Sequence, residues 1–261
     1  MKILTVVPTY NEADNLPILA EKLLALPYPD LHLLVVDDNS PDGTGTIAER
    51  IAAEQAEREG APRVFVMHRS EKSGLGRAYV AGYTWALDRD YEAAAQMDAD
   101  LSHDPNDLIR MIAAAAEADV VIGSRYLNGI SVINWPLRRI LLSLGANEYV
   151  RRVTRIPIHD GTSGFRIYRR EALIAIDLPT IRSNGYSFQV EMTYRAFLCQ
   201  CRIVEAPIVF TERRAGQSKM SQGVIIESAM MPWRLRARRR ALMKMLHPVS
   251  RPAENETERN T

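Results

Sequence analysis

Three short apolar runs in the first hundred residues each break abruptly into polar groups, and this pattern narrows the fold more than any other feature. Ile3-Leu4-Thr5-Val6-Val7 gives way to Pro8-Thr9-Tyr10-Asn11-Glu12, and Leu33-Leu34-Val35-Val36 to Asp37-Asp38-Asn39-Ser40-Pro41-Asp42-Gly43. Ala93-Ala94-Ala95-Gln96-Met97 gives way to Asp98-Ala99-Asp100. Apolar runs that stop at Asp, Asn, Pro and Gly read as strands followed by turns. Helical spacing separates them: Ala13 to Leu26, Thr44 to Glu59 before Gly60, Gly76 to Leu87, and a helix opened by Pro105 and running through Ala116. Arg63 to Met67 and Asp119 to Ile122 add two more strands. Alternating strands and helices build βαβ units, so the expected fold is a single α/β domain with a mostly parallel central sheet flanked by helices. In such a sheet the carboxyl ends of the strands converge on the ligand crevice.

Length and composition fit that domain and exclude other classes. A chain of 261 residues can bury a large core. The formal net charge of +1 gives no pull toward nucleic acid. No run reaches the roughly 18 apolar residues needed to cross a bilayer. Met1-Lys2-Ile3 enters a strand directly, without the pattern of a signal peptide, so a cytoplasmic location is expected. Cys199 and Cys201 have poor zinc spacing and read as two free buried thiols.

The chemistry lies in the polar strand ends. Asp98 and Asp100, at i and i+2, point the same way from a strand end and can share one hard divalent cation, or split between metal and a hydroxyl. The turn after the first strand lacks the Gly-x-Gly-x-x-Gly of a dinucleotide-binding domain, and no Gly-Lys-Ser/Thr loop occurs. Ser73-Gly74-Leu75-Gly76-Arg77 reads as a helix start with two glycines. Asp42, within Pro41-Asp42-Gly43, reads as a turn former.

These segments, taken in order, resemble glycosyltransferase family 2 enzymes of the GT-A (Rossmann-like) fold, and among them the dolichol- or polyprenol-phosphate mannose synthases. The matching stretches are Val6 to Glu12, Val36 to Thr44, Gly74 to Ala78, Met97 to His103 and Ile122 to Tyr126. Thr162 to Arg166, Gly185 to Met192 and Glu212 to Lys219 continue the match, and this second half narrows it to lipid-phosphate acceptors. The resemblance implies that Pro8, Tyr10, Glu12 and one or both of Asp37 and Asp38 hold the nucleotide, with Asp98 on its ribose side. It implies that Asp100 binds Mg²⁺ or Mn²⁺. Ser102 stands where some relatives carry Gln as a second metal ligand; a hydroxyl is the poorer ligand, so water or substrate oxygens would complete the shell. Arg125, Arg139, Arg213 and Lys219 are implied around the acceptor phosphate and sugar diphosphate, where a guanidinium fork suits phosphate oxygens.

The implied reaction is inverting transfer of mannose from GDP-mannose to a polyprenyl (dolichyl) phosphate, giving a β-linked product. The alternative keeps the acceptor and uses UDP-glucose. A lipid monophosphate, with a second pKa of roughly 6 by analogy with phosphorylated side chains, attacks without a general base. His68, His103 and His159 are therefore not nominated as bases, and His103 reads as part of the helix start before Asp104-Pro105.

The expected organisation is a catalytic domain over 1–220, with a nucleotide-sugar half to about 125 and an acceptor half over about 126–220. A basic amphipathic helix over 221–247 and a disordered tail over 248–261 complete it. Trp135 to Leu144 and the C-terminal helix both mix cations with Leu, Met and Trp, the composition of segments that lie in an anionic membrane interface. The expected setting is the inner face of the membrane, reached by peripheral contact or through a separate membrane-anchor protein, with no nucleic-acid partner.

Overall fold

The computed structural model describes residues 1–212 and 222–249. The order of elements is β1 (Ile3–Thr9), α1 (Leu16–Leu24), β2 (Leu31–Asp37), α2 (Thr44–Glu59), β3 (Val64–His68), α3 (Leu75–Leu87), β4 (Ala93–Gln96), α4 (Asp107–Ala115) and β5 (Val120–Ser124). Then follow β6 (Val132–Ile133), α5 (Leu137–Thr154), β7 (Arg166–Arg169), α6 (Arg170–Ile176), α7 (Gly185–Leu198), β8 (Ile203–Pro207), β9 (Phe210–Thr211), α8 (Gln222–Ala237) and α9 (Arg239–Met245).

The main sheet runs β3-β2-β1-β4-β7-β5-β8, and β6 pairs with β9 beside it. Every neighbour pair in the main sheet is parallel except those made by β7, which is antiparallel to both β4 and β5. The sheet is therefore mostly parallel, as expected. The reversed strand carries the functional consequence. Arg166, its first residue, pairs with Gln96 and Ile122 at the carboxyl ends of β4 and β5, so the loop before it, residues 160–165, reaches the crevice edge.

Both sheet faces are covered, which is why the strands read as continuous apolar runs rather than alternating ones. Leu4, Val6, Leu34 and Val36 face α3, α6 and α7. Ile3, Val7, Leu33 and Val35 face α1, α2 and α4. Helix α2 has the expected bounds because Gly43 (φ 88°) and Gly60 (φ 72°) flank it in the left-handed region, where a side chain is strained.

The C-terminal segment departs from expectation. The single helix expected over 221–247 is two helices, α8 and α9, separated at Arg238. Nor does it form a layer apart from the domain: Leu235, Leu242 and Leu246 bury in the same cluster as α3 and α7. Arg236 donates to the Val153 carbonyl at 2.8 Å, and the Val249 amide donates to the Cys199 carbonyl at 2.9 Å. Order thus extends past residue 247 into the expected tail, and 250–261 lie outside the described residues. No disulfide joins Cys199 and Cys201; Cys199 is buried and Cys201 partly so.

Candidate active site

The loops after β1 and β2 are held to one another by short polar contacts. Backbone amides of Asn11, Glu12 and Ala13 donate to Ser40 Oγ (3.1 Å), Thr44 Oγ1 (3.0 Å) and Asp42 Oδ2 (3.1 Å). Asp42 also accepts from the amide and hydroxyl of Thr44, at 3.0 and 2.6 Å. Burial opposes ionisation of the Asp42 carboxyl, but these hydrogen bonds hold it below the ordinary carboxylate range. The turn former is thus also the clasp between two loops.

Asp37 and Asp38 divide their work. Asp37 accepts from Thr9 Oγ1 (3.2 Å), the Ser40 amide (3.1 Å) and Ser40 Oγ (2.5 Å), and it is absent from the cleft wall. Asp38 lines the cleft and pairs with Arg69 at 2.5 Å. Burial pushes the Asp38 carboxyl above its usual range, against the pull of Arg69. Of the two, Asp38 is the one that faces the cleft.

That cleft measures about 440 Å³ and opens at the carboxyl edge of the sheet. Pro8, Tyr10, Glu12 and Asp38 follow β1 and β2, Asp98 and Asp100 follow β4, and Arg125 follows β5, so the strand order sets the carboxylate pair between the first group and Arg125; Arg139, on α5, also lines the cleft. Lys72, which sequence reasoning passed over, joins the first group with its ammonium 3.4 Å from the centroid of the Tyr10 ring. Its signal was its place beside the Ser73–Arg77 glycine loop. That loop starts α3 as expected. A Cβ on Gly76 would meet the Ser183 carbonyl oxygen at 2.6 Å, so glycine is needed for close approach.

Asp98 accepts from Tyr79 Oη at 3.2 Å, and Gly164 leaves room beside it, since a Cβ there would stand 3.3 Å from Asp98 Oδ2. Asp100 accepts from the Ser102 amide at 3.1 Å. Ser102 itself is buried and absent from the cleft wall, and its backbone amide supports Asp100. Among the described residues no cluster of three His, Cys, Asp or Glu could cage an ion. The available donors are the hard carboxylate oxygens of Asp98 and Asp100, which suit Mg²⁺ or Mn²⁺ completed by water and ligand oxygens.

At the cationic end both described arginines, Arg125 and Arg139, line the cleft and are ion-paired. Arg125 is not a free charge: its amide, Nε and Nη2 bond to Asp160 at 3.0, 2.6 and 2.6 Å, and Nη2 also reaches Thr162 at 2.9 Å. Burial alone would push the Asp160 carboxyl up, but Arg125 holds it below the usual range. Asn147 donates to Asp160 at 3.2 Å, and the Asp160 amide donates to Glu205 at 2.9 Å. Arg139 pairs with Glu212 and lies over the Trp135 ring, 3.9 Å from its centroid. Arg213 and Lys219 lie outside the described residues.

No histidine lines the cleft among the described residues. His103 is buried against Phe165 (4.9 Å) and Phe210 (5.2 Å). Its Nδ1 accepts the Asp98 amide at 3.3 Å, which leaves the proton on Nε2. Burial lowers its pKa to about 4, so it is a neutral packing residue rather than a base.

Sequence comparison names the class this geometry belongs to. The family model described as "Glycosyl transferase family 2" matches residues 5–177. The polyprenol monophosphomannose synthase of Mycolicibacterium smegmatis is 48% identical over 241 residues, covering 91% of this chain and 88% of that protein. The undecaprenyl-phosphate mannosyltransferase of Micrococcus luteus is 46% identical over 240 residues, covering 91% and 96%. The chain belongs to glycosyltransferase family 2. Solved structures agree in fold at low identity. A Pyrobaculum calidifontis mannosyltransferase, in complex with GDP-Man and Mn²⁺, gives a TM-score of 0.56 at 16% identity, covering 92% of this chain and 73% of that one. Glucosyl-3-phosphoglycerate synthase of Mycobacterium tuberculosis, with Mn²⁺, UDP-glucose and phosphoglyceric acid, gives 0.60 at 15% identity, covering 93% and 80%. The domain is thus of the GT-A type, and the protein is a glycosyltransferase.

Proposed function

We propose that this protein transfers mannose from GDP-mannose to a polyprenyl phosphate, with inversion at the sugar C1 and a divalent cation bound. The observation that carries the reading is one continuous cleft that joins a carboxylate pair, Asp98 and Asp100, to an arginine and aromatic end formed by Arg125, Arg139 and Trp135. Its two named relatives, each aligned over 91% of this chain, carry the matching acceptor and sugar in their names.

Pro8, Tyr10, Glu12, Asp38 and Lys72 would enclose the nucleotide. Asp100, with Asp98 beside it, would hold Mg²⁺ or Mn²⁺. A bound ion of this kind supplies charge neutralisation on the departing diphosphate. Arg139, backed by the Trp135 ring, would receive the acceptor phosphate, whose own oxygen is the nucleophile. Arg125, fixed by Asp160, would orient that end of the cleft rather than lend it a full free charge. Arg213 and Lys219 complete the proposed phosphate contacts.

The lipid acceptor implies contact with a membrane. No described helix is long and apolar enough to cross one. Exposed Ile133, Leu137, Leu141 and Leu142 lie instead on β6 and α5, the helix that carries Arg139, and exposed Met230 and Trp233 lie on α8. We assign these faces to peripheral contact with the bilayer; a separate anchor protein would act beside them.

Radiolabelled transfer from GDP-mannose to a short polyprenyl phosphate in detergent tests the reading. Organic-extractable product that vanishes with EDTA is expected, and Asp100→Ala should fold normally yet lose turnover. Product from UDP-glucose and none from GDP-mannose would overturn the donor assignment.

A further inference from the structure

The cleft lining also includes four uncharged residues: Thr162 and Gly164, in the loop before β7, which lies between β4 and β5, and Tyr186 and Gln189 on α7, whose Gln189 carbonyl is tied to Arg166 of β7. Thr162 is already engaged by Arg125 and Asp160, at 2.9 and 3.3 Å. Tyr186 is 43% exposed at the mouth. Gln189 is different. It is only 3% exposed, and its Oε1 is sealed from solvent with no hydrogen-bond partner among the described residues. An unpaired buried amide is destabilising, so one lining a ligand cleft points to a partner supplied by the ligand.

The backbone that carries this side chain is held firmly. The Gln189 carbonyl accepts from Arg166 Nη1 at 3.1 Å and from Thr193 Oγ1 at 2.8 Å. Two residues on, Glu191 accepts from Ser183 Oγ at 2.5 Å and from Arg195 Nε at 2.9 Å. Arg166, Glu191 and Arg195 are all buried, which fixes the first two turns of α7 against β7 and the Ser183–Asn184 segment. The backbone that presents this amide is therefore preorganised.

We infer that Gln189 reads the donor sugar: its carboxamide hydrogen-bonds a ring hydroxyl of the hexose carried on the nucleotide diphosphate. The inference rests on the donor reading above. With the nucleotide at the Tyr10 end, the diphosphate at Asp98 and Asp100, and the acceptor phosphate at Arg139, the hexose spans the wall where Gln189 sits. A hydroxyl both donates and accepts and a carboxamide offers both, so a half-turn about its terminal bond brings the now-sealed Oε1 to the cleft while its NH2 takes the inner position. A neutral group there can rank hexoses by hydroxyl position without competing for the charge of the diphosphate.

Kinetics with GDP-mannose and its 2-, 3-, 4- and 6-deoxy analogues, in wild type and Gln189→Met, test this. The variant should bind GDP as wild type does, while kcat/KM for GDP-mannose falls about 10- to 100-fold. One deoxy analogue should cost wild type the same factor and cost the variant nothing further, the non-additivity that marks a direct pair. Equal penalties in both proteins for every analogue, or loss of GDP affinity in step with activity, would overturn the inference. Absence of any deoxy penalty in wild type overturns it without the variant. The donor reading fails separately, if wild type is inert with GDP-mannose yet active with another nucleotide hexose; the same cycle run on that donor then judges Gln189.

Discussion

At the carboxyl edge of β1 and β2, charged groups are held by neighbours a few residues away or by the adjoining loop. Asp37 is bonded by Ser40, Asp42 by Thr44, and Asp42 in turn by the Ala13 amide. Across the cleft the pattern reverses. Arg125 is held by Asp160, 35 residues on, and Arg139 by Glu212, 73 residues on. Apart from the Asp38–Arg69 pair, the first end is organised by neutral donors satisfying carboxylates, the second by full charges satisfying each other. Carboxylates held by local amides and hydroxyls each add a modest increment. A buried ion pair is a different object: breaking it strands a charge in the interior.

The sharpest way to break this comparison is Asp160→Ala. It would leave the buried Arg125 guanidinium with Thr162 alone as a polar partner among the described residues, and the expected loss of folding stability is about 3–5 kcal/mol. Urea denaturation measures it. Replacing Arg125 and Asp160 together by Met and Leu should recover a large share, because the desolvation penalty goes with the pair. A loss below about 1 kcal/mol for the single change would place this end on the same footing as the first.

His103 sits at the seam, bonded to the Asp98 amide and packed on Phe165 and Phe210, and it gives the comparison a pH axis. Burial sets its folded pKa near 4, below the ordinary 6.5. As pH falls, the unfolded chain takes up that proton first. Stability is therefore intact above pH 6.5 and declines toward pH 4, with a total contribution of roughly 3 kcal/mol. His103→Phe removes the titration but also the acceptor for the Asp98 amide. The variant should be less stable than wild type at pH 7.5, and the gap should narrow by pH 5. Parallel stability curves for metal-free protein across that range would assign the acid sensitivity elsewhere.

The same contrast explains what could be read from the chain. The first end was legible because its signals are local: β-branched runs stopping at Asp, Pro and Gly, and α2 bracketed by Gly43 and Gly60. Beyond residue 125 the signals become tertiary. β7 begins and ends in Arg, yet Arg166 is fully buried because Gly161, Ser163, Tyr168, Gln189 and Thr193 all bond to it, from positions that no periodicity marks. Helix α5 runs past the Trp135–Leu144 segment to Thr154, its second half burying only Asn147, Val150, Val153 and Thr154, a thin and half-polar stripe. Leu235, Leu242 and Leu246 have the spacing of an apolar helix face, and spacing does not tell a face packed on the domain from one facing lipid. For Arg125 and Arg139 the sequence showed cations but not the carboxylates that compensate them.

The smallest expected effect tests the first end on its own terms. Asp42 holds the start of α2 through Thr44 and pins the β1–α1 loop through Ala13, in a place where solvent can replace part of what is removed. Asp42→Ala should cost about 1 kcal/mol, the usual scale for losing a helix-start side-chain acceptor. Asp42→Asn retains an oxygen acceptor and should recover most of that loss. Thermal unfolding of the three proteins at neutral pH separates the outcomes. If Asn is as damaging as Ala, the charge of Asp42 matters more than its acceptor geometry, and the first end depends on electrostatics much as the second does. If Asn matches wild type, the neutral-donor account of this end stands, because an amide oxygen then does what the carboxylate did.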